Sequence, residues 1–286
     1  MIVVDLIGGL GNQLFQYAAG RSLANKHQAE LKVYSGRFQT YTLHKYSLHH
    51  FNISAPILTD IEAKNYVGLT TTILNRFSLK PYYNRKIYKE RFFHYDENFT
   101  KASKDVMLSG YWQSEKYFPD IRSVLLNEFS IKTPVDELNR RFVNDIEAVN
   151  SVSLHIRRGD YISDAKANRV HGACDEKYYN TCIREIGRLV KDPVFYIFSD
   201  EPEWAKRNMK MDYQFHVVDH NNADKNYEDL RLMSLCKHNI IANSSFSWWG
   251  AWLNLNPHKY VFAPRNWFAT PARNGNDVVP SDWIKV

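Results

Sequence analysis

Cysteine is scarce in this chain of 286 residues, and long apolar runs are missing from it. Its three cysteines, Cys174, Cys182 and Cys236, are odd in number and form no Cys-x-x-Cys pair. A disulfide framework and a zinc site are therefore both disfavoured. No apolar run approaches the roughly 20 residues of a transmembrane helix, and the N-terminus lacks a basic leader and is interrupted by Asp5. We therefore expect a cytoplasmic protein in a reducing compartment.

The hydrophobic fraction of 44% is large enough for real cores, and the length suits two domains of ordinary size or one large one. Lysine and arginine number 37 against 31 aspartates and glutamates, which gives a formal net charge of +6. A basic chain is compatible with phosphorylated small molecules, an anionic membrane surface or nucleic acid. The aromatic residues form no recognisable RNA-binding motif, so we expect no nucleic-acid partner.

The first half of the chain has regular elements on either side of one irregular stretch. Residues 41–98 show poor periodicity and many aromatics and histidines, so we expect an irregular insertion with short helices there. Pro119 and Pro134 punctuate the helical patterns that follow. The predicted elements are strands at 2–7, 31–34 and 106–111, and helices at 12–26, 114–128 and 135–149.

Strands and helices alternate regularly in the second half, which predicts βαβ crossovers and a parallel sheet. The last helical pattern of the first half carries the expected junction between two domains, at 1–145 and 146–286. The predicted elements of the second half are strands at 152–156, 194–198, 214–217, 239–242 and 260–263, and helices at 177–190, 202–208, 226–237 and 246–253.

Two adjacent arginines follow an apolar strand in Ser153-Leu-His-Ile-Arg-Arg-Gly-Asp-Tyr161. A guanidinium stays charged and its planar fork of donors matches phosphate oxygens, so Arg157 and Arg158 are candidates to hold a pyrophosphate. The alternative is that both are solvated or pair with local carboxylates such as Asp160 and Asp164. Their position beyond the carboxyl end of a strand favours the ligand, because open α/β sheets bind ligands there.

Two other loops also follow apolar strands. Asp200, in Phe198-Ser-Asp200, is a candidate acceptor for a nucleotide base or a ribose, or a cap for the helix that begins near Pro202. In the segment 243–252 small hydroxyl residues open a helix, which is another arrangement that cradles phosphate, with Ser244 and Ser245 as candidates. The three tryptophans of that segment are expected to anchor the helix in the core.

Two further features each allow two interpretations. His155 is either a satisfied polar group of the core or a ligand contact two residues before the arginine pair. The turn Gly8-Gly-Leu-Gly-Asn-Gln13 either brings backbone close to an anion or a sugar at a helix N-terminus, or is only a tight turn. A dinucleotide fingerprint is disfavoured, because Leu14 replaces its third glycine and no acidic residue ends the second strand.

Taken together and in this order, the motifs closely resemble those of the α-1,2-fucosyltransferases of glycosyltransferase family 11, of the bacterial type. The resemblance covers nearly the whole chain. It implies an α/β protein with the GT-B architecture, in which two Rossmann-like domains face each other across a cleft. Its anchors are Gly8-Gly-Leu-Gly-Asn-Gln-Leu-Phe-Gln-Tyr17, His155-x-Arg-Arg-x-Asp160, Phe198-Ser-Asp200 and Asn243-Ser-Ser-Phe-Ser-Trp-Trp-Gly250.

The resemblance also implies roles for individual residues, with GDP-fucose held mainly by domain 146–286 and the acceptor on the side of domain 1–145. Arg157 would bind the β-phosphate and stabilise the departing GDP, while Arg158 would support the loop or bind the second phosphate. His155 and Asp200 would contact the guanosine. The remaining implied contacts are Asn243, Ser244, Ser245 and Phe246 to phosphate or ribose, and Gly9, Gly11, Asn12 and Gln13 near sugar and acceptor.

The implied reaction is a single displacement with inversion, in which O2 of a terminal β-galactose attacks the anomeric carbon of GDP-β-L-fucose. Asp160 is placed to act as the base, with Asp164 and His171 as alternatives, although Asp160 would serve equally to orient the arginines. The chain contains no Asp-x-Asp, which is the usual signature of a manganese-held nucleotide sugar, so we expect neither a metal nor a cofactor.

The expected partners are GDP-fucose and a galactose-terminated oligosaccharide or a lipid-linked glycan such as an O-antigen repeat. The basic and aromatic run 76–91 suggests peripheral association with the bacterial inner membrane as an alternative to a purely cytoplasmic location. Two other functions remain open. One is a GT-B glycosyltransferase with a different nucleotide sugar or linkage, and the other is a non-catalytic carbohydrate-binding protein.

Overall fold

The chain divides into two units, 1–130 and 131–286, and the described residues of each unit form one parallel sheet. A computed structural model describes residues 1–66, 86–270 and 273–286. Most of the basic and aromatic run 76–91 therefore lies outside the described residues, and so does part of the irregular stretch 41–98. None of the helices in the described residues has the length and apolarity that a membrane crossing requires.

The boundary between the units lies before a helix, α4 (Glu137–Ala148), and not after residue 145 as the sequence suggested. This helix has one apolar stripe, and its buried Ile146 packs in the same cluster as Tyr196 and Leu232 of the second unit. Just before the helix, Asp136 pairs with Lys225 at 2.8 Å. Because the stripe is buried by later residues, the whole helix belongs to the second unit.

In the described part of unit 1–130, four strands form a parallel sheet in the order β2-β1-β4-β3. β1 is an inner strand and all four of its residues are buried, which accounts for the apolar run that precedes Asp5. The strands are β1 (Ile2–Asp5), β2 (Leu31–Tyr34), β3 (Ile87–Lys89) and β4 (Val106–Ser109), and the α-helices are α1 (Leu10–His27), α2 (Asp60–Ala63) and α3 (Arg122–Glu128).

The elements of this unit differ from the predicted ones where turns interrupt the pattern. The helix predicted at 114–128 is a short 3-10 turn, Glu115–Tyr117, followed by α3, because Pro119 between them has no N–H to donate. Two further 3-10 turns, Gly36–Gln39 and Leu48–His50, lie in or next to the irregular stretch. β3 was not predicted, since it is only three residues long.

The described residues of unit 131–286 form a six-stranded sheet in the order β10-β9-β8-β5-β6-β7, and each of its pairings is parallel. The parallel sheet predicted for this half is thus confirmed. The strands are β5 (Asn150–Ile156), β6 (Pro193–Ser199), β7 (Phe215–Val218), β8 (His238–Ile240), β9 (Val261–Ala263) and β10 (Ile284–Lys285).

The helices of this unit cover both faces of the sheet. On one face Leu154 packs with Ile186, and on the other Phe198 packs with Met233. Two of the helices, α5 and α6, were not predicted, because they are short and polar. After α4 the series is α5 (Gly159–Ser163), α6 (Ala165–His171), α7 (Glu176–Leu189), α8 (Pro202–Asn208), α9 (Asn226–Leu235) and α10 (Ser245–Leu253).

Candidate functional site

The three loops singled out in the sequence of the second unit leave the sheet at the same edge. β5 pairs with β6 up to Ile156 and Ser199, and it pairs with β8 up to Leu154 and Ile240. From β5 the chain continues outward through β6 and β7, whereas β8, β9 and β10 lie on its other side. The gap between β5 and β8 is therefore a topological switch point, where open parallel sheets bind their ligands.

Arg157, the first residue after β5, forms an ion pair with Asp200, the first residue after β6. Its Nη1 lies 3.1 Å from Oδ2 of Asp200, and 24% and 22% of the two side chains are exposed. The guanidinium also lies 5.5 Å from the ring centroid of Tyr161. The cation is thus fixed by a carboxylate and an aromatic ring, and it remains partly accessible at the carboxyl edge of the sheet.

Arg158 is held differently, by the elements on its β6 side. Its Nε donates to Glu201 Oε2 at 3.1 Å, and its guanidinium carbon lies 3.8 Å from the centre of the Trp204 ring. Its backbone N–H donates to Asp200 Oδ1 at 2.9 Å. These contacts favour the expectation that Arg158 supports the loop over the expectation that it binds a second phosphate. Among the described residues Asp200 pairs with Arg157 and Glu201 pairs with Arg158. The alternative partner Asp160 has its side chain outside the described part of the structure, so that suggested pairing stays a prediction.

Asp200 connects the two loops and does not cap the following helix. The N-cap of α8 is Glu201, which makes no side-chain capping bond, so the capping role suggested for Asp200 is wrong. Gly159 is required for the connection, because a Cβ there would come within 2.6 Å of Asp200 Oδ2. A glycine therefore follows the two arginines for a steric reason, because the second loop approaches closely at this position.

His155 is buried on β5, with 4% of its surface exposed. Among the described residues its Nδ1 has no hydrogen-bond partner. Burial and the charge of Arg157 lower the pKa of the imidazole to about 3, so the ring is neutral at physiological pH. Tyr179 Oη donates to the carbonyl of His155 at 3.1 Å and fixes the end of the strand. A buried imidazole nitrogen without a partner is unusual and is available to a ligand.

Asn243, expected to contact the ligand, uses its side chain inside the protein. Its Nδ2 donates to the carbonyls of His171 and Gly172 at 2.8 and 2.9 Å, and its Oδ1 accepts a bond of 3.6 Å from Cys174 Sγ. Both amide hydrogens are therefore occupied, so a side-chain bond from Asn243 to phosphate is not supported. Its position instead ties the end of α6 to the loop after β8.

The helix α10 begins at this edge with Ser244 as its N-cap, and its Oγ accepts a bond from the Phe246 N–H at 3.3 Å. The ring of Phe246 lies 5.8 Å from that of His155. Ser245 is the first residue of the helix. The free N–H groups and the dipole of a helix N-terminus favour an anion. Trp248, Trp249 and Trp252 are buried, which confirms that they are core residues.

The residues proposed as bases lie in or beside the two short helices after Arg158. Asp160 belongs to α5 by its backbone, and its side chain lies outside the described part of the structure. Asp164 is exposed between α5 and α6. The ring of His171 stacks on Tyr161 at 4.9 Å with 4° between the planes. Tyr161 Oη donates to the carbonyl of Asn243 at 3.2 Å, so it connects these helices to the loop after β8.

The glycine-rich turn lies in the other unit, between β1 and α1. Gly8 adopts a φ of 85°, and Gly9 is the extended N-cap of α1. Gln13 is buried, and its Nε2 donates to the carbonyls of Gly8 and Lys45, both at 2.9 Å. Its Oε1 accepts from the Ser47 N–H at 2.9 Å. The side chain of Gln13 thus holds a loop in place, and the expectation that it binds substrate is not supported.

The other members of the turn have different surroundings. Asn12 Oδ1 accepts a bond from Gln113 Nε2 at 2.8 Å. A Cβ at Gly9 would lie 3.4 Å from the ring of His44, so the backbone of the turn runs next to that ring. Gly11 is buried in the first turn of α1. Gly9 and Asn12 are the partly exposed members of this turn, whereas Gly8, Gly11 and Gln13 are buried.

Sequence reasoning missed the residues that position the arginines. Glu201, Trp204 and Tyr161 contact them, and a cation beside an acid or an aromatic at such distances is a common arrangement. Glu201 and Trp204 follow the Phe-Ser-Asp motif directly, which was the available signal. The described residues contain no group of three or more His, Cys, Asp or Glu arranged to hold a metal ion. Independence from metal stays a prediction.

Comparison with known proteins adds evidence from the whole chain. The family model described as glycosyl transferase family 11 matches residues 1–286. An α-1,2-colitosyltransferase of Escherichia coli is 34% identical over 296 residues, covering 100% of this chain and 99% of the relative. The O-antigen biosynthesis glycosyltransferase WbnK of Escherichia coli is 33% identical over 98% of this chain and 99% of its own length. A rat galactoside α-(1,2)-fucosyltransferase 2 is 25% identical over 88% of this chain and 67% of its own.

Solved structures agree on the fold. The α-1,6-fucosyltransferase NodZ, soaked with GDP-fucose, superposes with a TM-score of 0.52 over 88% of this chain and 91% of that chain, at 12% identity. FUT1 of Arabidopsis thaliana in complex with GDP gives a TM-score of 0.53 over 99% of this chain and 75% of its own, at 11% identity. The expected α/β fold of the GT-B type with Rossmann-like domains is thus confirmed.

Proposed function

The chain belongs to glycosyltransferase family 11, and from this premise we propose that it transfers L-fucose from GDP-β-L-fucose to O2 of a terminal β-galactose in a glycan. One observation carries the proposal. At the switch point of the second sheet, a fixed but accessible Arg157 lies two residues from a buried neutral His155, whose Nδ1 has no hydrogen-bond partner in the part of the chain that the structure describes. A cation beside neutral hydrogen-bonding groups suits a nucleoside diphosphate better than it suits a neutral glycan.

The arginine supplies what the leaving group requires. As the acceptor oxygen bonds to the anomeric carbon, the bond from that carbon to the β-phosphate oxygen breaks and its electron pair stays on GDP. Arg157 stabilises the charge that develops there, because it is already oriented by Asp200 and Tyr161. Attack opposite to the leaving group inverts the β-linked donor into an α-linked product. The N-terminus of α10 adds a favourable potential for phosphate at the same edge.

Two groups are placed to recognise the nucleoside. One is the uncharged ring of His155, and the other is the carboxylate of Asp200, whose orientation is already fixed. The neutral His155 ring offers its Nδ1 to one hydrogen bond, and a ligand that makes this bond removes the cost of a buried polar atom without a partner. Asp200 has one oxygen beside Arg157 and the other on the Arg158 N–H. Each carboxylate oxygen has a further lone pair, so a contact from Asp200 to a guanosine group is compatible with both bonds.

The acceptor proton requires a base, and we assign it to Asp160, with Asp164 and His171 as the alternatives. Asp160 follows the arginine pair in α5, which begins at the edge where the leaving group lies. The reaction requires neither a change in oxidation state nor a covalent enzyme intermediate. Positioning and leaving-group stabilisation therefore supply much of the rate, and no metal or other cofactor is required.

A second donor is favoured by one observation, the 34% identity to an α-1,2-colitosyltransferase across the full chain. This relative transfers a different sugar from the one that we propose, and the O-antigen relative suggests a lipid-linked glycan as the natural acceptor. Both donors would use the same diphosphate contacts. The identity of the sugar is therefore decided by a direct comparison of GDP-fucose with GDP-colitose.

The test is release of GDP from each donor with and without lactose, in the presence of EDTA. The variant is Arg157→Ala, and Arg188→Ala is the matched control, because Arg188 is 67% exposed on α7 and pairs with Glu185. Acceptor-dependent turnover that survives EDTA should fall by about 10² to 10³ in Arg157→Ala and remain unchanged in the control.

Each other outcome has a definite meaning. Turnover with GDP-colitose alone would replace the proposed donor. Loss of turnover in EDTA would refute independence from metal. Equal turnover in Arg157→Ala and in the wild type would exclude this loop as the site of leaving-group stabilisation. Binding of lactose without release of GDP from either donor would favour a non-catalytic carbohydrate-binding protein.

A further inference from the structure

A cavity lined by residues that the proposed reaction leaves without a role lies at the carboxyl edge of the sheet in unit 1–130. Its volume is about 260 Å³. It is lined where three neighbouring strands end, by Asp5 at the end of β1, Glu90 after β3, and Ser109 with Tyr111 at the end of β4. This edge is where a parallel sheet binds ligands, and the volume suits one sugar ring better than a nucleotide sugar.

One wall of the cavity is an ion pair between a buried carboxylate and an exposed guanidinium. Asp5 is 5% exposed, and its carboxylate accepts bonds from Arg37 Nε at 2.8 Å and from Arg37 Nη2 at 2.6 Å. The Arg37 side chain is 48% exposed. In the described part of the structure Nε and Nη2 make the bonds to Asp5 and Nη1 does not, so the Nη1 hydrogens can reach a ligand. The pair is neutral as a unit, which disfavours a charged ligand.

Glu90 also lines the cavity, and its carboxylate is held by backbone that follows β4. Its two oxygens accept from the N–H groups of Tyr111 at 2.7 Å and of Trp112 at 2.9 Å. Each oxygen keeps a lone pair for a further donor. Burial raises the pKa of Glu90, and the two backbone bonds partly oppose this shift. A fixed carboxylate with spare acceptor capacity is suited to the hydroxyl groups of a sugar.

An aromatic surface completes the cavity. Tyr111, which is 38% exposed, and Phe93 both line the cavity. Two carboxylates face two cations, Arg37 and Lys89, so the lining carries no excess of either charge. Oriented donors and acceptors beside an aromatic ring match a neutral ligand that has hydroxyl groups on its edge and C–H groups on its face.

We infer that this cavity binds one neutral sugar ring of the acceptor glycan, with Asp5, Arg37 and Glu90 as its hydrogen-bond partners and Tyr111 stacked on it. The inference rests on the proposed function for the identity of the ligand as an acceptor. It moves acceptor recognition from the side chains of Asn12 and Gln13, which are used inside the protein, to the ends of three strands.

The test uses lactose as the probe and reads binding separately from transfer. Saturation-transfer NMR with lactose alone measures binding to wild type, Tyr111→Ala and Glu90→Gln. Steady-state kinetics with GDP-fucose then give KM for lactose and for the donor. Tyr111→Ala keeps the backbone bond to Glu90, so it should fold even if Glu90→Gln does not. The matched control is Tyr95→Ala, which changes an aromatic residue of a different cavity in the same unit.

We expect saturation transfer to lactose in the wild type. The KM for lactose should rise about tenfold in both variants, because each loses either one stacking ring or one charged hydrogen-bond partner. The donor KM and the affinity for GDP should not change. Lactose binding that is absent from the wild type, insensitive to both variants, or lost in Tyr95→Ala instead would overturn the inference. If no GDP-sugar is turned over but lactose binding still depends on Tyr111, the proposed function fails and the sugar site stands.

Discussion

Arg157 and Asp200 form an ion pair of 3.1 Å at the ends of two adjacent parallel strands, with roughly a quarter of each side chain exposed. The pair orients the guanidinium before any ligand arrives, so little reorganisation is needed when charge develops on a leaving phosphate. It also lowers the net charge of the loop in the free protein. Asp200 is therefore a positioning group for Arg157, in addition to any contact that it makes with guanosine.

The two functions of Asp200 can be separated by substitution. Asp200→Asn keeps an oxygen for the Arg158 N–H, whereas Asp200→Ala removes both the ion pair with Arg157 and the acceptor of that N–H. We expect kcat to fall about tenfold further in the alanine variant than in the asparagine variant. Steady-state kinetics with far-ultraviolet circular dichroism for folding make the comparison. Equal kcat values in the two variants would show that the hydrogen bond to Arg158 does not position the loop.

His155 should make the protein sensitive to acid. Its native pKa of about 3 lies below the ordinary value of 6.5, so below pH 6.5 the unfolded chain binds a proton that the native protein does not. Native stability is therefore lost as the pH falls from 6.5, by about 2 kcal/mol at pH 5 for this one group. Urea unfolding at pH 7.5 and pH 5 should show a smaller loss in His155→Gln than in the wild type.

The control for this comparison is His258→Gln, because His258 is exposed in a turn. It should keep the full acid sensitivity of the wild type. The same low pKa predicts that donor kcat/KM has no inflection from His155 between pH 5 and 8. A wild type and a His155→Gln variant with equal acid sensitivity would mean that the imidazole is not held neutral by burial.

The effect of Asp229 on stability should depend on pH with the opposite sign to the effect of His155. Burial raises the pKa of this carboxyl to about 7, against an ordinary value of 3.8, so the native protein takes up a proton that the unfolded chain does not bind. Stability is therefore lost as the pH rises from about 4 to 7. Asp229→Asn keeps an acceptor for Asn221 Nδ2, which lies 2.8 Å away, and it removes the buried charge.

The gain in unfolding free energy from Asp229→Asn should be up to about 3 kcal/mol larger at pH 8 than at pH 5. Urea unfolding at the two pH values measures it, with the exposed Asp212→Asn as the control. A gain that does not depend on pH would show that Asp229 ionises as it does in water.

Substitution of Gln13 distinguishes a structural role of its side chain from a role in substrate binding. Its amide forms hydrogen bonds with three backbone groups, those of Gly8, Lys45 and Ser47, so Gln13→Ala removes three buried or partly buried hydrogen bonds. We expect the variant to lose about 3 kcal/mol of stability while the affinity for GDP is unchanged. Thermal and urea unfolding together with GDP titration check this.

Gln39→Ala is the control for Gln13→Ala, because Gln39 is exposed and makes one long bond of 3.3 Å to Asp60. This variant should be as stable as the wild type. A fully stable Gln13→Ala protein with a raised KM for the acceptor would instead support the role in substrate binding that the motif suggested.

The sequence predicted the parallel sheet of the second unit well, because each buried strand is a short apolar run that ends in a turn. The helix predicted at 202–208 has those bounds in the structure, since Pro202 marks its first turn. The predicted boundary between the units lies too late in the chain, because the sequence does not show which of the two units buries the apolar stripe of α4. β3 and β10 were missed, because a strand of two or three residues is too short to show an apolar periodicity.

What the sequence determined by itself is the chemistry at the strand ends, since adjacent arginines, a following Asp and a run of small hydroxyls are local patterns. Only the tertiary structure decided which of these groups are available to a ligand and which make contacts inside the protein. Arg158, Asn243 and Gln13 have the residue types of ligand contacts, yet folding brings each one against partners distant in the chain that use its donors. His155 is the converse case, because its buried Nδ1 has no hydrogen-bond partner among the residues that the structure describes. Which polar groups remain for a ligand depends on contacts between distant residues, and no local pattern encodes them.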